Sequence, residues 1–494
     1  MAQDAVPGNN FCVCRFPQPF SLDIHSNLCY NRAMKTLKNI LICIILPITL
    51  FLTASITADD AQVADTAVSA VVTSDTDVNT VTLPVSDTAV DTDVGSADTA
   101  AAAEMPGNLG LYLAQDFSPL ARDILPEVMP EMDKPISKEI TLMAVGDNLM
   151  HMGIVASGKQ ADGSYDYSML YADIADFLAA ADIKVINQET ILGGNERGFS
   201  GYPRFNSPTE VGDAIAAAGF NVVLHASNHS ADQGIAGLLS CIAFWKTHPE
   251  VLMVGIFDDP SEAEEIPLLT IDGVTFAILN YTYGPNAEIL PSSIEGHLNM
   301  LCAYDERTNV IDFTTLNPQV IADIEKADAL ADVVLVFPHW GTEYVTTPSS
   351  YQKEFARQMT EAGADIIIGT HPHVVEPIEW VEADNGNKAL CYYSLGNYVS
   401  TQKDAISMLE GMAWVTFEAT AGGVTIDEEK SGVIPLVCQY KSGPVRFDHI
   451  YLLEDYTQEL ADAHGIRGYG GVSLKADKLK EWSTEIFGDF VLPK

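Results

Sequence analysis

The sequence predicts a layered α/β fold, and three observations carry that prediction. From Glu139 onward, short β-branched runs alternate with stretches of helical period, the pattern of a largely parallel sheet covered by helices. Most of these runs end in Asp, Asn, Glu or His. An apolar segment and a long acidic stretch precede this body and set it apart from the N-terminus.

The apolar segment runs from Leu37 to Thr57, with Arg32, Lys35 and Lys38 at or just before its start. Its apolar core of about 18–20 residues lies between the lengths of a cleaved export signal and of a full membrane span. Residues 34–58 are therefore read as a signal peptide or a membrane anchor, placing the body outside the membrane, either anchored or secreted. Residues 1–33 do not resemble the start of an exported protein. They are read as a non-native or disordered extension, with translation starting at Met34. Residues 59–135 are read as a linker. From Asp59 to about Ala103 it consists almost entirely of Ala, Asp, Thr, Val and Ser, with neither Lys nor Arg. Such a segment has too few large apolar groups to fold and enough like charge to stay extended.

Seven runs in the body, expected at 136–455, read as buried strands: ITLMAVGD, IKVINQE, NVVLHASNH, VTFAILNY, VVLVFPHW, DIIIGTHPH and ALCYYSLGN. Helices are expected over SMLYADIADFLAAAD, TEVGDAIAAAG, NPQVIADIEKADALAD and PSSYQKEFARQMTEAG. A β-rich piece from about Met412 to Leu453 completes or caps the sheet, and 456–494 is expected to be a tail. Cys241, Cys302, Cys391 and Cys438 are too scattered for a metal knuckle. They are read as buried thiols, with one or two bridges left open.

The chemistry is expected where the strands end. Asp147 closes the first run, Glu189 the second, Asn228-His229 the third, His339 a later one and His371-Pro372-His373 the next. In an open α/β sheet the carboxyl ends of strands converge on one crevice, so these residues should meet. Oxygen and imidazole donors without thiolates suit Zn, Mn or Fe, and the number of donors is enough for two divalent ions sharing a bridging carboxylate. Pro372 should keep His371 extended, so that alternate side chains place both histidines on one side. Each element also has a plainer reading: a turn at Gly146-Asp147, a helix cap at Asn228-His229 supported by Asp232, and ring packing of His339 on Trp340.

With these residues in hand, the sequence resembles the CapA family of bacterial poly-γ-glutamate capsule-synthesis proteins, whose fold is that of the calcineurin-like metallophosphatases. The resemblance covers roughly 140–453. It rests on Ala144-Val145-Gly146-Asp147, Asn187-Gln188-Glu189, Ser227-Asn228-His229 with Asp232 and Gly234, His339-Trp340-Gly341-Thr342-Glu343-Tyr344, Gly369-Thr370-His371-Pro372-His373 and Tyr393-Ser394-Leu395-Gly396-Asn397-Tyr398. It implies a metallophosphatase-like β-sandwich flanked by helices. It also implies that Asp147 and His373 bind a first ion, Glu189 bridges, and Asn228, His339 and His371 bind a second, with His229 assisting the leaving group. The pattern departs at Leu149, where metallophosphatases carry a histidine; His151 is the expected substitute if the strand turns sharply there. Glu189 likewise stands where an aspartate is usual.

Two functional classes follow. One is a metal-dependent hydrolase acting on an anionic polymer, with poly-γ-glutamate as the candidate, or on a phosphoester unconnected with capsule. The other is a non-catalytic scaffold that holds polymer beside membrane capsule-assembly proteins. The net charge of −42 excludes a general grip on nucleic acid and confines contact with any polyanion to the cations of the site.

Overall fold

Two β-sheets face one another across a dry core, and helices cover their outer faces. The computed structural model describes residues 138–493, apart from 287, 288 and 290. The expected extension 1–33, the signal or anchor 34–58 and the linker 59–135 lie outside the described residues. Among the described residues no helix is long and apolar enough to cross a membrane.

Across the larger sheet lie Arg446–Leu452, Gly432–Lys441, Leu409–Thr420, Lys138–Asn148, Ile183–Asn187, Val222–Leu224 and Leu252–Val254, in that order. The last four run parallel, and the short strand Asn397–Val399 adds to Lys138–Asn148 in the same sense. The smaller sheet runs Ile378–Glu382, Lys388–Tyr392, Ile366–Ile368, Val333–His339, Val274–Thr282 and Leu268–Ile271, with a parallel centre and antiparallel edges. All seven expected runs contain strand. The piece after Met412 joins the larger sheet as antiparallel strands.

Strand periodicity explains the layers. Ile140, Leu142 and Ala144 point inward, toward Phe276 and Ile278 and Val333 and Leu335 of the other sheet, whereas Met143 and Val145 point outward. Phe276 and Phe417 meet edge to face at 5.3 Å across the gap between the sheets. Outside the larger sheet, helices Glu210–Ala218 and Gly234–Trp245 bury Val211, Ile215, Leu238 and Ile242. Outside the smaller sheet, Pro318–Leu330 and Ser350–Ala362 bury Val320, Ile324, Phe355 and Met359. The second of these starts on a capping box, with Ser349 and Gln352 satisfying each other's backbone donors. The four body cysteines are buried free thiols.

Two expectations change. The run expected as one helix, SMLYADIADFLAAAD, breaks into two 3-10 turns and a short helix, Ala175–Ala180. The stretch expected as a tail carries helices Gln458–Ala463 and Ala476–Phe487. Ala476, Leu479, Ser483 and Phe487 form a buried stripe at helical spacing, with Leu479 and Phe487 completing the inter-sheet core.

Candidate metal centre

The pocket forms where the carboxyl ends of both sheets meet, rather than at the crevice of one open sheet. Asp147, Glu189 and Asn228 arrive from the larger sheet, and His339, His371 and His373 from the smaller one.

Asp147 is placed by close backbone packing. A side chain at Gly146 would put its Cβ 2.0 Å from the Gly396 carbonyl oxygen, so this glycine permits an approach of two strands rather than a turn. The Asp147 N–H then donates to that same carbonyl at 3.0 Å. Asn187 Nδ2 donates to Asp147 Oδ1 at 2.7 Å, and the His371 N–H donates to Oδ2 at 3.2 Å. His373 Nδ1 stands 3.2 Å from Asp147 Oδ2, and its Nε2 stands 3.7 Å from Glu189 Oε1. His339 reaches over both carboxylates, with Nε2 3.9 Å from Glu189 Oε1 and Nδ1 4.0 Å from Asp147 Oδ1. The same Nε2 lies 3.0 Å from Asn228 Oδ1, tying the two sheets together across the pocket.

The two histidines of His371-Pro372-His373 do not come together by strand alternation. Both have left-handed backbone, φ +99° at His371 and +57° at His373, in a loop without regular structure. Such backbone costs non-glycine residues about 1–3 kcal/mol each and survives where the surroundings over-determine it. Asn397 helps to do so: its Oδ1 lies 3.1 Å from His373 Nδ1, and its Nδ2 donates to the His373 carbonyl.

Burial dominates the electrostatics of the pocket. Glu189 has no exposed surface, and among the described residues neither carboxylate oxygen has a hydrogen-bond partner. Burial, then the neighbouring Asp147 charge, drives its carboxyl well above the ordinary range, against the pull of His373. Burial also pulls His373 down, but the Glu189 and Asp147 carboxylates more than offset this and raise it to about 9. His339 and His371 lie well below the ordinary imidazole range, chiefly through burial, so they stand neutral as ligands must. His371 Nδ1 is buried without a partner.

Donor atoms of Asp147, Glu189 and His373 all lie within 4.8 Å of one another, as do those of Glu343, His371 and His373. Each group fits a divalent cation; His373 lies near both, but its Nδ1 already faces Asp147 and Asn397, so it has one nitrogen for one ion. A third group, Glu139, Glu418 and Asp427, lies toward the surface, and the Lys430 ammonium already occupies it by pairing with Glu139 and Asp427.

His229, Asp232 and His151 line the same pocket. His229 Nδ1 lies 2.7 Å from Asp232 Oδ2, so the carboxylate holds the Nδ1 proton and leaves Nε2 as the free nitrogen. Asp232 is fully engaged, since Oδ2 also accepts the Phe205 N–H at 2.7 Å and Oδ1 accepts from Asn286 Nδ2 at 3.2 Å. These contacts fix the carboxylate against His229, which it positions. The His151 ring packs 5.7 Å from Phe205, whose other side meets His229 at 4.7 Å. Burial, then the nearby His373 and His229, pulls His151 down to about 4. Its Nδ1 accepts the Thr401 N–H at 3.3 Å, leaving Nε2 as the only nitrogen available to an ion, and it is not among the donors within 4.8 Å. Leu149, at the usual histidine position, is buried in the core.

Sequence reasoning passed over Asn286, Tyr283 and, as a donor, Glu343. Asn286 joins Asn228 to Asp232 by its side-chain amide. Tyr283 lays its ring 4.7 Å from His371 and 6.4 Å from His339. Both follow the strand Val274–Thr282, but the run read there, VTFAILNY, closes without an acidic or imidazole residue and so gave no signal. Glu343 lies within the quoted His339–Tyr344 motif, which was the available signal.

The chain is 33% identical over 185 residues to the PGA biosynthesis protein CapA of Bacillus subtilis (strain 168), covering 37% of this chain and 43% of the relative. It is 28% identical over 276 residues to the capsule biosynthesis protein CapA of Bacillus anthracis, covering 54% and 61%. The matches thus span about half the length of these relatives. Residues 141–402, more than half of the chain, match the family of the bacterial capsule synthesis protein PGA_cap, and the chain belongs to that family.

Proposed function

We propose that this protein is a metal-dependent hydrolase of capsule biosynthesis, with a metallophosphatase-like sandwich, acting outside the membrane on an anionic polymer or its phosphoester or amide linkage. The observation that carries the reading is Glu189, a fully buried carboxylate with two unpartnered oxygens, set among Asp147, His339 and His373. Leaving such a group uncompensated is costly, and a cation removes the cost. Asp147 and His373, with His151 beside them, would hold one divalent ion. Asn228, His339 and His371 would hold a second, and Glu189 would lie between; Mn, Zn and Fe all suit these donors. A bound pair supplies a low-pKa water and charge stabilisation. The chain's own contribution is His229, whose free Nε2 would pass a proton to the leaving group while Asp232 fixes the ring. Poly-γ-glutamate is the candidate polymer, supported by the names of the relatives, and membrane capsule-assembly proteins are the candidate partners.

A second reading, a polymer-holding scaffold, draws on Leu149 and on the Thr401 bond to His151, which together thin the first ligand set. The test is metal content of the full chain by elemental analysis, with hydrolysis of an aryl phosphate and of poly-γ-glutamate under Mn, Zn and Fe. His371→Ala and His373→Ala should each lose metal. His229→Ala should keep it while turnover falls roughly 10²–10⁴-fold. No turnover of either substrate with metal bound would move the assignment to the scaffold. Unchanged metal content in both histidine variants would end the cation reading.

A further inference from the structure

Glu343 stands at the mouth of the pocket on a loop clamped to the histidine loop. The Trp340 N–H donates to the Thr370 carbonyl at 3.0 Å, and the Tyr344 N–H donates at 2.8 Å to the carbonyl of Pro372, the residue between the two histidines. The backbone is left-handed at Gly341 and Tyr344 on one loop, φ +99° and +63°, and at His371 and His373 on the other. A side chain at Gly341 would press its Cβ to 2.9 Å from Gln352 Nε2 and 3.0 Å from Pro372 Cγ, so the close contact of the loops needs this glycine. Three non-glycine residues in disfavoured backbone, facing one another in two loops, mark a geometry held for a purpose other than packing.

The clamp brings the Glu343 carboxylate to the histidines, with the donor atoms of Glu343, His371 and His373 all within 4.8 Å. His371 Nδ1 is buried and has no partner, as it would be if a ligand were to sit there. Glu343, unlike the other carboxylates of the pocket, is exposed. We propose, building on the two-cation reading above, that Glu343 is a further ligand of the second cation, the one assigned to His371, while His373 stays with the first. It meets the ion from the solvent side, where substrate enters. As a third carboxylate beside Asp147 and Glu189, it lowers the net positive charge of a loaded centre by one. That reduces the centre's pull on a dianionic phosphate relative to a singly charged or neutral group.

The experiment is Mn²⁺ binding to the full chain after chelation, by calorimetry and by electron paramagnetic resonance, for the wild type, Glu343→Gln and Glu343→Asp. The wild type should bind two ions and give a spin-coupled signal. Glu343→Gln should keep one ion at wild-type affinity, bind the other roughly 10–100-fold more weakly and lose the coupled signal, with Glu343→Asp in between. Inorganic phosphate, used as a probe at the same Mn²⁺ concentration, should bind the Gln variant more weakly, because an ion is missing. Two ions at unchanged affinity in Glu343→Gln would overturn the assignment, and phosphate binding tighter there would show a carboxylate that only repels anions. A wild type that binds no Mn²⁺ would overturn this assignment and the cation reading together.

Discussion

The inter-sheet core and the pocket at the strand ends are buried to the same degree, yet they are opposite environments built from the same strands. Phe276, Leu335 and Phe417 have no polar atoms to satisfy, and their burial alone favours the fold. Two residues beyond Ile183–Asn187 and three beyond Ile366–Ile368, Glu189 and His371 are also buried but carry polar atoms without partners among the described residues. The core is where this chain gains stability; the pocket, with its buried unpartnered polar atoms, is where it gives some up.

The sharpest test of the contrast is in the core. Phe276→Ala removes a ring packed edge to face on Phe417 and should destabilise the chain by roughly 3–5 kcal/mol, with or without a chelator, by urea unfolding. Dependence of that loss on metal would break the separation of the two regions. In the pocket the sign should reverse. Glu189→Gln relieves a buried carboxylate whose burial cost outweighs the pull of His373, 3.7 Å away, and should raise the stability of the chelated chain by roughly 1–3 kcal/mol, while abolishing the thermal shift expected of the wild type with Mn²⁺. A chelated Glu189→Gln variant less stable than the wild type would mean that the carboxylate is held by contacts of its own.

The smallest effect concerns Glu376, at the border of the two regions. Its Oε2 accepts from Gln352 Nε2 at 2.7 Å, Oε1 has no partner, and burial pushes its carboxyl from 4.5 up to about 8. The folded chain therefore keeps a proton that the unfolded chain releases above its ordinary value. Stability from this group is complete below about pH 4.5 and is lost as pH rises through about 8. Glu376→Gln should remove that slope, narrowing the stability difference between pH 5 and pH 8 by roughly 1–2 kcal/mol in unfolding titrations at the two pH values. An unchanged difference would place Glu376 outside the linkage.

Much of this arrangement was legible in the residues. The short, continuously apolar, β-branched runs ITLMAVGD and VVLVFPHW marked buried strands, and the polar closures marked the pocket because parallel strands end together. Asp147, Glu189, Asn228, His339, His371 and His373 accordingly meet. The run Ser168–Asp182 was read as one helix, yet Leu170 and Ile174 end up buried in separate 3-10 turns with buried Tyr171 between them, an outcome of packing that period alone does not encode.

The sequence by itself determined where the strands of the body and most of its helices form and which side chains could hold a metal or move a proton, because those depend on local period and residue chemistry. Only the tertiary structure decided that the donors come from two facing sheets, that His371 and His373 converge through left-handed backbone, and that Glu343 and Asn286 join them. The reason is physical. Such contacts are set by hydrogen bonds between loops distant in the chain, such as Tyr344 N–H to the Pro372 carbonyl, and no local periodicity records them.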